Sequence, residues 1–298
     1  EWDALVRADG DLFMDRRFVR TVERTMSDRA TFWHMIVRDD DGRAAGSACL
    51  YFYPFDLSLL VTGRTRKLLR LIRRISPRLL CLNCVICGLP AGTGDNHVRI
   101  APDADADAVV DCVDDAMRRI AREKKTRRLF FREFTDEQCA AMRHLEHLGY
   151  SRESSVPMNR TSAEYRAFDD YCANVKSNKR RMLKQSRAKF AKSGLRVMHR
   201  AGGDGVDRLY TDDVHRLYSS VVENKPTIEV MPAEFFRELA RQMPDEAAFT
   251  LIENNKQIVA FAASLCDGSS FHQMYVGFDY EINPTCDLYF NLFFNAID

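Results

Sequence analysis

The sequence predicts an α/β (α+β) protein in which one unit, a mixed and mainly antiparallel sheet flanked by helices, occurs twice. Two hairpins of similar length, over residues 32–53 and 249–266, support this prediction. Each hairpin is followed by a third strand, a turn and a helix, so the order of the elements recurs. A chain of 298 residues is long enough for two domains of ordinary size. We therefore expect a first unit over residues 1–160 and a second over residues 161–298.

The composition is that of a folded protein and gives no overall sign of a nucleic-acid-binding or membrane-binding protein. Apolar residues make up 46% and charged residues 29%, and a net charge of +1 gives no global attraction to nucleic acid or membrane. The nine cysteines lie mostly inside apolar runs, which favours reduced thiols and a cytoplasmic location over a disulfide framework. We recognise no secretory signal and expect no transmembrane segment.

The first unit is predicted to alternate helices and strands after an N-terminal helix capped by Asp15. Its strands are expected at residues 32–37, 44–53, 79–88 and 128–134, and its later helices at 105–123 and 137–148. The helix over 105–123 has Val109, Val113 and Met117 on one face, as a helix packed on a sheet requires.

A basic amphipathic helix is predicted over residues 62–76. Leu68, Leu71 and Ile75 share one side of its projection, and arginine and lysine residues cover most of the rest. Such a helix can contact an anionic partner, which is either a surface or a phosphate-rich molecule. Alternatively, it is a surface helix whose basic face is solvated. The second arrangement is the commoner one and is favoured here.

The second unit is predicted to contain strands at residues 195–199, 249–253, 257–266 and 271–278. Helices are expected at 206–223 and 233–242 and again after Pro284. Residues 174–194 form its strongest charge feature, with eight cations and no acid between Lys176 and Lys192. Eight cations on one helix repel one another, which indicates an anionic partner such as a phosphorylated donor or RNA. The alternative is a solvated helix neutralised by salt or by the acidic stretch 204–213.

No metal site is predicted. Cys81, Cys84 and Cys87 have ligand-like spacing, but they lie in an apolar run typical of a buried strand, in which cysteine is a small apolar residue. His144 and His147 lie one helical turn apart without an acidic or cysteine partner nearby in the sequence, which favours exposed histidines.

Three stretches, together with the duplicated order of elements, resemble a known fold. They are residues 33–43, residues 165–181 with Phe168-Asp169-Asp170 and Asn178-Lys179-Arg180-Arg181, and Tyr275-Val276-Gly277-Phe278 with residues 294–298. This pattern resembles the FemAB-like group of tandem acyl-CoA N-acyltransferase (GNAT) proteins. The resemblance implies two GNAT-like units and an acyltransferase activity. The donor would be either acyl-CoA or aminoacyl-tRNA. With aminoacyl-tRNA as donor, the acceptor would be a molecule such as a peptidoglycan precursor.

The sequence departs from this pattern in its phosphate-binding loops. The loop Arg/Gln-x-x-Gly-x-Gly/Ala, which binds the CoA pyrophosphate in ordinary N-acetyltransferases, is missing after both third strands, at residues 90–96 and 279–285. The resemblance implies that the Fem group tolerates this loss, because its donor is a charged tRNA. A complete second unit would need another strand and helix beyond Asp298, so we expect this unit to be incomplete at its C-terminus.

Amine acylation by direct attack needs a proton acceptor, donors to the oxyanion and a proton for the leaving group. On the third strand of the second unit, Tyr275 is the candidate for protonating the leaving group. His272, Asp279 or Glu281 is the candidate for accepting the amine proton. Backbone N–H groups over residues 276–278 are candidate oxyanion donors. No serine or cysteine nucleophile motif occurs, so a covalent acyl-enzyme is not expected.

Donor binding is predicted at the same strand and on the basic helix. The expected donor-binding residues are Val276, Gly277, Phe278, Lys176, Arg180, Arg181 and Lys184. Acyl-CoA or aminoacyl-tRNA would serve as co-substrate and an amine as acceptor, with no bound cofactor. The alternative is a catalytically silent, duplicated binding module for an anionic partner, and transient contact with an anionic surface is a further expectation.

Overall fold

The computed structural model describes residues 1–7, 11–76, 79–92, 97–154, 158–161, 165 and 167–297. It is a mixed α/β protein with two mostly antiparallel sheets, which is the fold class predicted from the sequence. The chain forms two compact units. Unit 1 comprises Glu1–Met158 with Thr227–Phe235, and unit 2 comprises Asn159–Pro226 with Phe236–Asp298. In the described part of the chain, no helix combines the length and apolar character needed to cross a membrane.

Unit 1 contains one sheet and its flanking helices. Its helices are α1 (Trp2–Arg7), α2 (Arg16–Met26), α3 (Gly63–Arg73), α4 (Ala106–Glu123), α5 (Asp136–Ala141) and α6 (His144–His147). Its strands are β1 (Thr31–Arg38), β2 (Ala44–Asp56), β3 (Cys81–Cys87), β4 (Val98–Ile100) and β5 (Leu129–Phe131).

The unit 1 sheet has the order β1-β2-β3-β5, with β4 paired to β2. Only the β3–β5 pair is parallel among the described strands. Helix α4 buries Val109, Val113 and Met117 against the sheet, as predicted. Strand β5 is shorter than predicted because Glu133 takes the left-handed conformation (φ +67°), which an extended strand cannot include.

Unit 2 also contains one sheet. Its helices are α7 (Phe168–Asn174), α8 (Ser177–Ala191), α9 (Val206–Leu209), α10 (Asp212–Asn224), α11 (Ala233–Gln242), α12 (Asn283–Cys286) and α13 (Leu288–Ile297). The first three residues of α11 belong to the segment of unit 1 that ends at Phe235. Its strands are β6 (Arg196–Ala201), β7 (Ala247–Asn254), β8 (Gln257–Cys266) and β9 (Phe271–Phe278). The helix predicted over 206–223 is divided because Tyr210 leaves helical geometry and Thr211 caps α10 through the Val214 N–H.

The unit 2 sheet has the order β6-β7-β8-β9 and is antiparallel throughout. Its two faces are covered by different helices. On one face, Phe190 of α8 and Leu292 of α13 belong to a core cluster with Ala260 and Ala262. On the other face, the Phe261 ring contacts Phe236 of α11 at a ring-centroid distance of 5.8 Å. Alternate residues of each strand therefore face different helices.

Unit 1 contains a buried ionic network. The Arg132 guanidinium donates to Glu229 Oε1 (2.7 Å), Glu133 Oε1 (2.7 Å) and the Tyr51 hydroxyl (2.9 Å). The side chain of Glu229 is only 6% exposed, and its Oε1 also accepts the Tyr51 O–H at 3.1 Å. Burial raises the pKa of the Glu229 carboxyl, and Arg132 opposes that shift. The network fixes the segment 227–235 within unit 1.

Replacing Arg132 with methionine should lower the free energy of unfolding by about 3–5 kcal/mol, because the buried Glu229 carboxylate loses its compensating charge. The free energy is measured by urea unfolding at neutral pH. Glu229→Gln provides the matched control. In that variant Arg132 keeps Glu133 as a partner, so the loss should be smaller. Equal losses in the two variants would show that an uncompensated carboxylate is not the cause.

Candidate functional site

Strand β9 is an edge strand within the described residues, because β8 is its only strand partner there. The Asp279 N–H donates to the Val259 carbonyl oxygen of β8 at 2.9 Å. In an antiparallel ladder successive N–H groups point alternately toward and away from the partner strand. The N–H groups of Val276 and Phe278 therefore point to the open edge, and that of Gly277 points toward β8.

A β-bulge separates the predicted site residues of β9 into two short runs. Ala263 pairs with Tyr275 and Ser264 pairs with Gln273, so Met274 is the extra residue. Tyr275 packs against Tyr218 and Phe236, with ring-centroid distances of 5.8 and 5.4 Å. The aromatic cluster holds the Tyr275 ring on the face of the sheet covered by α10 and α11.

Gly277 lies against helix α10. A Cβ atom added to Gly277 would lie 2.6 Å from the Tyr218 nitrogen and 2.9 Å from the Leu217 carbonyl carbon. Because both contacts are with backbone atoms, a larger residue would have to displace the helix. The absence of a side chain at Gly277 therefore allows α10 to pack closely on β9.

A cavity of about 300 Å³ lies at the carboxyl end of β9. Three parts of unit 2 line it: the start of β8, the turn after β9, and one stripe of α10. The lining residues are Asp213, Arg216, Leu217, Ser220, Gln257, Ile258, Val259, Phe278, Asp279, Tyr280 and Glu281. Seven of the eleven lining residues are polar or charged, so the cavity is more polar than a typical small-molecule site.

Two of the predicted proton acceptors, Asp279 and Glu281, line this cavity. Asp279 Oδ1 accepts the N–H groups of Glu281 (2.7 Å) and Ile282 (3.3 Å), so one carboxylate oxygen stabilises the turn after β9. The side chain of Glu281 is exposed at the cavity rim. Glu281 is thus better disposed than Asp279 to exchange a proton with a ligand.

The carboxylates and the predicted acid Tyr275 are separated along β9. Asp279 follows Tyr275 by four residues, which corresponds to roughly 13 Å of extended strand. Tyr275 does not line the cavity, and neither does His272, which lies on the other side of the bulge opposite Leu265. One small ligand atom cannot contact both the tyrosine hydroxyl and the carboxylates.

Helix α8 is held by apolar side chains and by two of its cations. Phe190 and Leu183 pack into the cores of unit 2. Lys189 donates to Asp287 Oδ1 at 2.9 Å, and the Arg187 guanidinium lies 5.0 Å from the centre of the Phe168 ring. These contacts place the remaining cations of α8 on its outward side.

The four predicted donor-binding cations are exposed. Arg180 donates to the carbonyl oxygens of Ala173 and Val175, at 2.8 and 3.1 Å, and so caps the end of α7. Lys184 lies 3.5 Å from the exposed Asp169 carboxylate, a pair that water screens strongly. Arg181 and Lys176 complete this set, which we call the α8 basic stripe (Lys176, Arg180, Arg181 and Lys184). None of its residues lines the cavity.

Sequence reasoning missed the α10 side of the cavity. Asp213, Arg216 and Ser220 recur at three- and four-residue spacing, which places them on one helical stripe beside Leu217. That polar stripe within an amphipathic helix was the available signal. No set of three metal-ligating side chains occurs together in the described ranges.

No curated protein matches this chain. Among solved structures, it is similar to the C-terminal domain of a "Putative Lysylphosphatidylglycerol Synthetase" from Agrobacterium fabrum, with 11% sequence identity and a TM-score of 0.47. That similarity covers 99% of this chain and 73% of the other. The FemAB-like family model, described as peptidoglycan biosynthesis/recognition, matches residues 85–298, and the chain therefore belongs to the FemAB-like family.

Proposed function

We propose that this chain transfers an aminoacyl group from aminoacyl-tRNA to the amine of a peptidoglycan precursor, and that the reaction takes place in unit 2. Membership of the FemAB-like family supports the reaction class. The observation that carries the proposal is the open edge of β9 beside a cavity lined by carboxylates. Because charged tRNA is a cytoplasmic molecule, we also propose a cytoplasmic location.

The oxyanion donors in this proposal are the N–H groups of Val276 and Phe278. Both point to the unpaired edge of β9, and because they lie roughly 7 Å apart along the strand, a carbonyl oxygen of the donor can accept from one of them at a time without disturbing the sheet. Preorganised backbone donors stabilise the charge that develops on the carbonyl oxygen during attack. The N–H of Gly277 takes part in the β8 ladder and is not assigned this role.

Glu281 is the proposed proton acceptor, with Asp279 holding the turn that carries it. The amine nitrogen attacks the ester carbon, so a C–N bond forms and the C–O bond to the ribose breaks. Glu281 accepts the amine proton, directly or through water, and the ribose hydroxyl gains one proton. Tyr275 remains the proposed source of that proton, which water must relay from farther along the strand, and His272 remains an alternative acceptor of the amine proton.

The α8 basic stripe is the proposed tRNA contact. Its cations are exposed and face no acid except Asp169 among the ion pairs of the described residues. Exposed cations on a helix attract phosphates within about one Debye screening length, which becomes shorter as the salt concentration rises. Acyl-CoA stays the alternative donor, and its transfer would depend much less on salt.

A second candidate function is a catalytically silent module that binds an anionic partner. The position of Asp279 favours it, because this carboxylate caps a turn and so has a structural role. The separation of Tyr275 from the carboxylates favours it as well. Both candidates use the α8 basic stripe, so they differ in chemistry and not in the class of partner.

Replacing Glu281 with glutamine should lower kcat for aminoacyl transfer about 100-fold, because the amide cannot accept the amine proton. Transfer of radiolabelled amino acid from charged tRNA to an amine acceptor measures this change. Glu153→Gln, at an exposed position of unit 1, is the matched control and should retain full activity. Unchanged kcat in Glu281→Gln would remove Glu281 from the mechanism.

Replacing Tyr275 with phenylalanine separates the two candidate functions. The ring contacts with Tyr218 and Phe236 are preserved, so the melting temperature should not change. An enzyme that uses the hydroxyl as an acid should lose about 100-fold in kcat. A binding module should retain its affinity for charged tRNA and show no transfer in either form.

Removing the charges of Arg181 and Lys184 by alanine substitution should raise the KM for charged tRNA about tenfold. It should also reduce the slope of log KM against log salt concentration by roughly 1 to 2, because two phosphate contacts are lost. Arg43→Ala, which removes an arginine that is 80% exposed in unit 1, is the control and should change neither quantity. An unchanged salt slope in the double variant would exclude α8 as the tRNA contact.

A further inference from the structure

Helix α3 is attached to unit 1 by its arginines. Arg66 is only 3% exposed, and its guanidinium donates to the carbonyl oxygens of Leu59 and Val61, both at 2.5 Å. Arg73 pairs with the Asp56 carboxylate. Both arginines lie on the same side of α3, about 180° to 200° around the helix from Arg64. The side of this helix that carries Arg66 and Arg73 therefore faces the protein.

The apolar side of α3 faces water. Leu68 and Leu71 are each 57% exposed, Ile72 is 38% exposed and Ile75, just after the helix, is 90% exposed. Their spacing of three and four residues places them in one continuous stripe opposite Arg66 and Arg73. Leu60, at 44% exposure, precedes the helix. The sequence favours a solvated basic face; the structure leaves Arg64, Lys67, Arg70 and Arg74 exposed, and it exposes the leucine and isoleucine residues as well.

An exposed apolar stripe of this kind indicates a partner, because single exposed leucines are common but contiguous ones are not. The charges around the stripe identify the kind of partner. Arg64, Lys67, Arg70 and Arg74 are all exposed, and residues 57–76 contain no acid. A partner that fits must be apolar within a few ångströms of its surface and anionic at that surface.

We propose that the exposed face of α3 (Leu68, Leu71, Ile72 and Ile75) docks on an anionic lipid bilayer, with the helix axis in the plane of the surface. The apolar side chains enter the boundary between headgroups and acyl chains, and the flanking cations contact lipid phosphates. Arg66 and Arg73 hold the helix in the orientation that this contact requires. The inference rests on the geometry of α3 and is independent of the transfer reaction proposed for unit 2.

Two other partners fit this face less well. A second copy of the chain would bring two clusters of cations together, and like charges at short distance repel. A nucleic acid would pair with the cations but would leave the leucine and isoleucine side chains in water, since its backbone surface is charged. Of these three partners, the bilayer alone satisfies both the apolar stripe and its charged border.

The test is co-sedimentation of the full chain with vesicles of phosphatidylcholine alone and of phosphatidylcholine with phosphatidylglycerol. We expect binding to the anionic vesicles that weakens as salt is raised, and little binding to the neutral ones. Leu71→Ser with Ile75→Ser should weaken binding at least tenfold, because two inserted side chains are lost. Lys67→Gln with Arg74→Gln should also weaken binding and flatten its salt dependence.

The control is Met182→Ser in α8, which removes a side chain that is 61% exposed outside this face and should leave vesicle binding unchanged. Circular dichroism and urea unfolding check that each variant is folded. Equal binding to both kinds of vesicle, or unchanged binding in Leu71→Ser with Ile75→Ser, overturns the proposal. So does self-association or tRNA binding that the same double variant abolishes. None of these readouts measures aminoacyl transfer, so the two proposals succeed or fail separately.

Discussion

The buried ion pair of Arg132 and Glu229 is the constraint on which unit 1 depends most. The two residues are 97 positions apart in the sequence, yet their charged atoms lie 2.7 Å apart in the interior. A charge buried without a partner costs several kcal/mol, so the Glu229 carboxylate is stable there only while Arg132 is present. The segment 227–235 therefore belongs to unit 1 although the chain on both sides of it belongs to unit 2. The left-handed backbone at Glu133 places a second carboxylate beside Arg132.

Unit 2 depends on a different feature, the edge strand β9. A strand paired on one side leaves alternate N–H groups without a ladder partner, and these groups need water, another strand or a ligand. In β9 the outward groups are those of Val276 and Phe278, at the end where the cavity lies. The bulge at Met274 and the packing of Gly277 against α10 fix the strand in this position. The N–H groups that the edge strand leaves without a ladder partner are therefore the same groups that the proposed reaction uses.

The sequence predicts those features that local pattern determines. The limits of β8 and β9 and the buried face of α4 follow from alternation and helical spacing, so they could be read directly. The Arg132–Glu229 pair could not, because nothing local distinguishes a buried arginine from an exposed one. The burial of Arg66 was not predicted for the same reason: helical periodicity assigns arginine to water, whereas Arg66 donates to the carbonyl oxygens of Leu59 and Val61. Part of the first phosphate-loop equivalent, residues 93–96, lies outside the described residues.

The two basic helices have similar compositions and opposite attachments. Helix α8 is anchored by Phe190 and Leu183, so its free side carries cations and fits a polymer of phosphates. Helix α3 is anchored by Arg66 and Arg73, so its free side carries leucine and isoleucine bordered by cations and fits a bilayer. Charge counted along the sequence does not separate these cases, because both segments are rich in cations and lack acids. The anchoring residues decide which surface each helix presents, and thereby which kind of anionic partner each can bind.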